Sequence, residues 1–320
     1  MFCIILMLHS SLLSTHTGQP INSRGRIERQ GYPILLVLFM PHIMQKNNST
    51  GEISICSDKG RLIILMLNES NDISWLKENI ITLLNGVAGV PVKSSHFATV
   101  LKFNNYETGE EFYFKEFLDR GFKDKLMKFI GTTRGKRAYK AGIMLLRKGF
   151  LTPVPVVLGT AKASFLVSRN FLITKAVPGE KAHQYIQKHF PPPLSAEMIV
   201  EKRELLGAAG REIGRLHSMG IFHGDLRLGN IIINKQGSSV RFFLLDNERT
   251  RYCSPLSERR RTKNLVQMNM ALRQQITKTD RLRFFNAYIE ENPTLLPNKK
   301  KIISRIAQIT QKRVYRGKLS

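Results

Sequence analysis

His223-Gly224-Asp225-Leu226-Arg227-Leu228-Gly229-Asn230 is the stretch on which the reading of this 320-residue chain rests. It runs into Ile231-Ile232-Ile233 and then, past a GlnGlySerSer turn, into PhePheLeuLeu (242–245) and Asp246. The two apolar runs read as buried strands joined by a tight turn. They leave three oxygen-bearing side chains, Asp225, Asn230 and Asp246, on the loops that bracket the hairpin. An aspartate beside a substrate hydroxyl, with an asparagine and a second aspartate holding Mg²⁺ on a nucleotide, is the set that phosphoryl transfer needs. Magnesium takes hard oxygen ligands and keeps waters and phosphate oxygens in its shell, which suits both residue types. The bland reading is a set of ordinary polar loop residues. Against it stand four identities at fixed spacing, with a helical pattern before them and a strand-like run on either side of the turn.

Working outward, the segment before His223 has the clearest helical pattern in the chain. Leu206, Ala209, Ile213 and Leu216 fall on one face, Ser195 is a natural N-cap after ProProPro (191–193), and Gly220 stops the helix. Further upstream, 98–103 and 111–117 are strand-like, and the AsnAsnTyrGluThrGlyGlu between them carries turn residues, so they read as an antiparallel hairpin. Residues 71–90 suggest an amphipathic helix closed by Gly86, and 124–149 a second helix. Short strands are expected at 153–158, 165–167 and 171–174, and helices with basic faces from Leu265 onward. Strands first and helices later predict an α+β fold: a two-lobed molecule with an antiparallel-sheet N-lobe, a mostly helical C-lobe and a cleft between.

Composition agrees with a folded chain, 42% hydrophobic and 23% charged, but its balance is extreme: 50 Lys+Arg against 24 Asp+Glu, a net +26. Arg251–Ser320 alone holds 17 basic and 4 acidic residues, so +13 of the excess lies there. Such a balance points to a polyanionic partner, whether nucleic acid, an anionic membrane or a phosphorylated substrate. Cys3, Cys56 and Cys253 are too few and too scattered for a disulfide framework or a zinc site, which fits a reducing compartment. The longest apolar runs, Ile34–Met40, Ile4–Leu8 and Leu62–Leu67, fall well short of the roughly 18 residues a membrane span needs. The apolar N-terminus lacks the basic flank and cleavage site of a signal peptide. It reads as a start placed ahead of Met40 or Met44, or else as a short membrane-touching anchor.

The segment 223–246 resembles the catalytic and metal-binding loops of the protein-kinase-like superfamily. Gly224 in place of the usual arginine, and Asp246-Asn247-Glu248 in place of Asp-Phe-Gly, separate it from eukaryotic protein kinases. Within the small-molecule branch it is similar to the lipopolysaccharide kinases of the Kdo/WaaP type, over about 95–318. The similarity is carried by PheTyrPheLysGluPhe (112–117), by the run from Arg137 through Gly149 and Thr152 to Pro155, and by LeuLeuAspAsnGluArg (244–249). It implies that Lys115 contacts the α/β-phosphates of ATP, that Asp225 orients or deprotonates a sugar hydroxyl, and that Asn230 and Asp246 hold Mg²⁺. Backbone groups of Lys175–Val177 would form the adenine hinge, and LysSerSerHisPheAla (93–98) would stand in for a glycine-rich phosphate loop. His223 would brace the metal loop, His217 would be structural, and His183 and His189 would lie on the surface. One departure is plain. A protein kinase pairs its strand lysine with a glutamate on the following helix, and here no acid occurs between Asp124 and Glu180.

The expected division is an uncertain N-terminal extension over 1–45, an N-lobe with lysine strand and hinge over 46–177, and a C-lobe with catalytic and metal loops over 178–320. The activity implied is ATP-dependent phosphorylation of a Kdo or heptose hydroxyl of the lipopolysaccharide inner core. Its partners would be the lipid A–core oligosaccharide acceptor and the anionic surface of the bacterial inner membrane, with the protein cytoplasmic and peripheral on the inner face. Arg259–Arg261, Lys299–Lys301, Lys312–Lys318 and the acid-free 125–179 would suit that docking; a solvated basic face is the alternative. No nucleic acid is expected, since no aromatic-interleaved basic motif or zinc finger is present. Two other readings stay open: another kinase-like phosphotransferase, of protein Ser/Thr or aminoglycoside type, and a non-catalytic pseudokinase adaptor.

Overall fold

A computed structural model describes residues 53–58, 61–67, 74–119, 121, 132–162, 168–270 and 275–318. The readings of the N-terminal extension, of the helix before residue 132 and of a strand at 165–167 therefore lie outside the described residues. In the first part, β1 (Ile53–Asp58) and β2 (Arg61–Leu67) precede helix α1 (Ser74–Leu84). Then come β3 (Val90–Ser95), β4 (Ala98–Asn104), β5 (Glu111–Phe117), α2 (Arg134–Arg147), β6 (Pro155–Lys162) and β7 (Ser168–Lys175). Their strands form a seven-stranded sheet in the order β1-β2-β6-β7-β5-β4-β3, every neighbouring pair antiparallel.

Strand alternation decides what each face of this sheet carries. Phe112 and Phe114 of β5 point to one side, with Leu101 and Phe103 of β4, and pack under Leu76, Ile80 and Leu83 of α1. Trp75 caps that layer 5.3 Å from the Phe112 ring. Phe117 points to the other side, among Ala138 and Tyr139 of α2 and Leu158 and Leu172 of β6 and β7. Lys115 shares that second parity, two residues before Phe117, with its ammonium 5.1 Å from the Phe117 ring centroid. The 98–103/111–117 hairpin is thus found, with Asn105 folding the turn by accepting from Glu107 N at 2.8 Å.

β6 and β7 are longer than the apolar runs suggested. Thr160, Asn170 and Ser168 interrupt the hydrophobic pattern, but Thr160 Oγ1 bonds Asn170 Oδ1 at 3.2 Å, and the ladder continues past them. β1 and β2 were not expected as strands. β2 is paired along its length with β6, some 95 residues away in the chain, a constraint no local window contains.

The second part is mostly helical: β8 (Glu180–Lys181), α3 (Ala182–His189), α4 (Ala196–Ser218), β9 (Ile221–Phe222), β10 (Ile231–Gln236), β11 (Ser239–Leu244), β12 (Arg251–Tyr252), α5 (Glu258–Asn269), α6 (Lys278–Glu290) and α7 (Lys299–Lys318). The α+β expectation, sheet first and helices after, holds. Ser195 Oγ caps α4 by accepting from Met198 N at 3.2 Å. α4 lies so close on α6 that a Cβ at Gly210 would sit 2.3 Å from Phe284 O, and one at Gly214 2.7 Å from Glu291 Cβ. The helical region begins at Glu258, ahead of the expected Leu265, because Arg259, Arg260, Thr262 and Lys263 turn the first turns of α5 polar without breaking them.

Candidate functional site

β9 delivers the candidate loop. Ile221 and Phe222 are buried and His223 is fully buried, so the chain enters the loop anchored in the core. Gly224 then adopts φ +82, and a Cβ there would lie 2.7 Å from Arg249 Cβ. The loop therefore turns back-to-back against the 246–249 segment, and no side chain, least of all arginine, fits between them. His223 ties the same two segments. Its Nε2 lies 3.0 Å from Leu245 O, while Asp225 N donates to its Nδ1 at 3.4 Å. Thr250 Oγ1 adds a bond to His223 O at 3.1 Å.

Asp225 is held from three directions. Asn230, in a 3₁₀ turn (Leu228–Asn230), donates through Nδ2 to Asp225 O at 2.9 Å and to Oδ2 at 3.3 Å. Gln267 of α5 donates to Oδ1 at 3.1 Å, and Arg227 Nε lies 2.9 Å from the same oxygen. Because Asn230 turns its nitrogen to Asp225, its Oδ1 is the atom left to serve as a ligand. Gln267 is in turn held by Asn264 Nδ2 at 3.1 Å, and Asn264 Oδ1 accepts from His223 N at 3.2 Å and faces His217 Nε2 at the same distance. His217 continues to Tyr288 OH at 2.9 Å, which Arg261 Nη1 reaches at 2.5 Å. Sequence reasoning found Asp225, Asn230 and His223 but neither Asn264 nor Gln267.

Asp246 closes β11 in the left-handed region, φ 61 and ψ 50, a conformation rare for a residue with a side chain. Its Oδ1 lies 2.5 Å from Lys115 Nζ, so the strand lysine and the loop aspartate, 131 residues apart, meet directly. Burial opposes ionisation of Asp246, but Lys115 beside it, with His223 and Arg134 adding to the effect, offsets this and its pKa is lowered. Oδ2 remains for another partner. Asn230 Oδ1 and Asp246 Oδ2 are both hard oxygens, which fits magnesium completed by phosphate and water. Among the described residues no group of three or more His, Cys, Asp or Glu side chains could hold a metal ion.

The absent helix glutamate has a counterpart of opposite polarity. Arg134, in the first turn of α2 and 6% exposed, donates to Glu248 Oε2 through Nε at 2.9 Å and through Nη2 at 2.6 Å. Its Nη1 also reaches Phe97 O at 2.7 Å and Leu118 O at 2.9 Å. One guanidinium therefore ties the β3–β4 turn, the end of the lysine strand and the loop that carries Asp246.

Lys175 ends β7 with Nζ 2.9 Å from Glu110, in an exposed pair. The N–H groups of Lys175 and Ala176 bond Val154 O and Glu111 O at 3.0 and 2.8 Å, so any donor offered by Lys175–Val177 must come from Val177. Residues 93–98 form the end of β3 and its turn into β4. His183 and His189 are both half-buried, and His189 stacks on Tyr185 at 4.2 Å. Arg261, read as surface charge, is a structural residue: it also donates to Asn292 Oδ1 at 2.9 Å. Below the hairpin lies an apolar cavity of about 370 Å³ lined by Leu205, Ile213, Ile231, Leu244, Phe285 and Ile306 among others. No helix of the described residues is long and apolar enough to cross a membrane.

Two buried histidines set a pH dependence. Burial lowers the pKa of His217 to about 3, with Arg261 adding to the effect, and burial lowers that of His223. Their folded-state pKa values lie below the unfolded value, so the unfolded chain binds more protons once pH falls through about 6.5, and stability falls with it. Each such proton is worth about 1.4 kcal/mol per pH unit. The carboxylates with lowered pKa values, Glu180, Glu197, Asp246 and Asp280, act in the more acidic range. Thermal melts between pH 7.5 and 5 should therefore show Tm falling with pH, with a shallower slope in His217→Gln; an identical slope in the variant would refute the assignment.

The family profile for lipopolysaccharide kinases (Kdo/WaaP) matches residues 88–288. Among solved structures, one described as WaaP in complex with acyl carrier protein superposes with a TM-score of 0.58 at 17% identity, covering 78% of this chain and 98% of that one. A PknI kinase domain from Mycobacterium tuberculosis, a double mutant, gives a TM-score of 0.37 at 16% identity over 56% of this chain and 69% of its own. No curated protein matches the chain in sequence.

Proposed function

This chain belongs to the lipopolysaccharide kinase (Kdo/WaaP) family, and from that premise we propose that it transfers the γ-phosphoryl group of ATP to a Kdo or heptose hydroxyl of the lipopolysaccharide inner core. The observation that carries the reading is the meeting of Lys115 and Asp246 at 2.5 Å beside a loop in which Asn230 and Gln267 aim the Asp225 carboxylate. Lys115 holds the α/β-phosphates as a point charge. Asp225 accepts or orients the proton of the acceptor hydroxyl as it attacks. Asn230 and Asp246 would hold Mg²⁺, which when bound neutralises charge on the phosphates. Val177, with the Lys175 backbone, lines the adenine end, and His223 keeps the two loops in register. The N-lobe over 46–177 and the C-lobe over 178–320 belong to the same proposal.

Exposed Arg259, Lys300, Lys301 and Lys312 support docking on the anionic, cytoplasmic face of the inner membrane, where the lipid A–core acceptor resides. The WaaP structure is described with acyl carrier protein, and the apolar cavity of this chain supports such a carrier as a further partner, its acyl chain the occupant. The deciding experiment offers labelled ATP and Mg²⁺ with Kdo- or heptose-bearing lipid A precursor. Label on the sugar supports the reading; label only on protein or an aminoglycoside keeps the phosphotransferase and moves the substrate; no turnover with any acceptor leaves the pseudokinase adaptor.

A further inference from the structure

We propose that Arg249, Arg251 and Lys263 form an anion-binding subsite beside Asp225 that recognises a phosphate or carboxylate on the acceptor sugar. The proposal rests on the reading of Asp225 as the residue that meets the acceptor hydroxyl. Its geometry begins with the β9–β12 ribbon, in which Arg251 stands opposite Phe222 and shares its face. Lys263 of α5 comes to the same place, its ammonium 5.4 Å from the Phe222 ring centroid. Phe222 is separated from Asp225 only by His223 and Gly224. Arg249 packs its stem on Gly224, where an added Cβ would lie 2.7 Å from its own, and its side chain is half-exposed.

Lys263 registers the company it keeps. Burial lowers its pKa first, then Arg249, and further Arg313 and Arg251, while Asp225 opposes them. Three cations, Arg249 on Gly224 and Arg251 and Lys263 at Phe222, thus gather where the facing carboxylates are Asp225 and Glu248. Glu248 lies 3.8 Å from Arg249, but its Oε2 accepts both buried bonds from Arg134. Like charges held together this way repel, and a bound anion relieves the repulsion. Arginine forks match phosphate and carboxylate oxygens, and a lysine over an aromatic face adds a point charge. The three sit on or next to β12 and α5, and none is on the strand that carries Lys115. The subsite is accordingly assigned to the acceptor and not to the nucleotide.

The test compares wild type with Arg251→Gln, Lys263→Gln and the double variant on three acceptors: an intact inner-core precursor, one enzymatically dephosphorylated, and one with its Kdo carboxyl esterified. The expected result is a rise of about tenfold in acceptor KM for each single variant on the intact acceptor, the scale of one charge-assisted contact. The rise should shrink on whichever modified acceptor lacks the recognised anion, which identifies phosphate or carboxylate as its source. KM for Mg-ATP and the melting temperature should stay put, and Arg251→Lys should recover most of the loss. A rise in KM for ATP, or an equal loss on all three acceptors, overturns the proposal. If wild type transfers phosphate to none of them, the functional reading itself fails. Equilibrium binding of the intact precursor then still decides: weaker binding by the double variant supports the subsite, and equal binding removes it.

Discussion

Asp225→Ala should lower the rate of phosphoryl transfer at least about 10²-fold, the usual size of a positioned base or orienting group. The same variant should keep most of its affinity for Mg-ATP, because Lys115 and Asp246 pair with each other and Asn230, the other proposed metal ligand, is still held by its bond to the Asp225 backbone carbonyl. The fold should also survive. The Asp225 side chain is 22% exposed, and Asn230 keeps its bond to the Asp225 backbone carbonyl at 2.9 Å whatever side chain follows. Loss therefore appears in kcat with KM for ATP nearly constant. Asp246→Ala should show the reverse emphasis, since it strips Lys115 of its partner and the proposed metal of a ligand. A rate unchanged in Asp225→Ala would remove Asp225 from the chemistry, and a rate lost together with ATP binding would mean that the loop had collapsed.

The candidate residues that were legible in the sequence are those whose geometry is local. Asp225 and Asn230 lie on one loop whose spacing is imposed by a 3₁₀ turn, and Asp246 sits at the far end of the hairpin that follows. The β4–β5 hairpin was legible for the same reason: its turn residues and both strands fall within one window. What stayed hidden depends on distant partners. Gln267 and Asn264 look like ordinary polar positions of a helix, and only its packing beneath the loop gives them Asp225 and His223 to hold. Arg261 read as solvated charge because a basic run has the same composition whether its members face water or a buried tyrosine. Arg134 and Glu248 are 114 residues apart, and although Glu248 lies in the 244–249 motif, nothing local to either residue names the other as its partner. The absence of a helix glutamate was visible, but the reversed pair that takes its place was not.

That reversed pair should be the site of the largest loss of stability. Arg134 and Glu248 are each about 6% exposed, so Arg134→Ala would take the guanidinium from a buried carboxylate and the Nη1 donor from the Leu118 carbonyl, while Phe97 O would keep its bond from Leu118 N at 3.1 Å. Breaking a buried pair from one side costs about 3–5 kcal/mol. Arg134→Ala is expected to fall by that amount in denaturant unfolding, and Arg134→Lys by less, since a lysine keeps the charge but not the fork. Removing both charges is a different matter. With Arg134→Met and Glu248→Met together, no buried ion is left alone, and such replacements are often neutral in stability. The double variant thereby separates two roles of the pair. If it only holds the fold, the double variant recovers activity along with stability. If it sets the position of the 246–249 loop relative to the lysine strand, stability returns while KM for Mg-ATP stays high. The four bonds from one guanidinium to three chain segments favour the second outcome, because no pair of methionines can reproduce directional contacts to Phe97 O and Leu118 O.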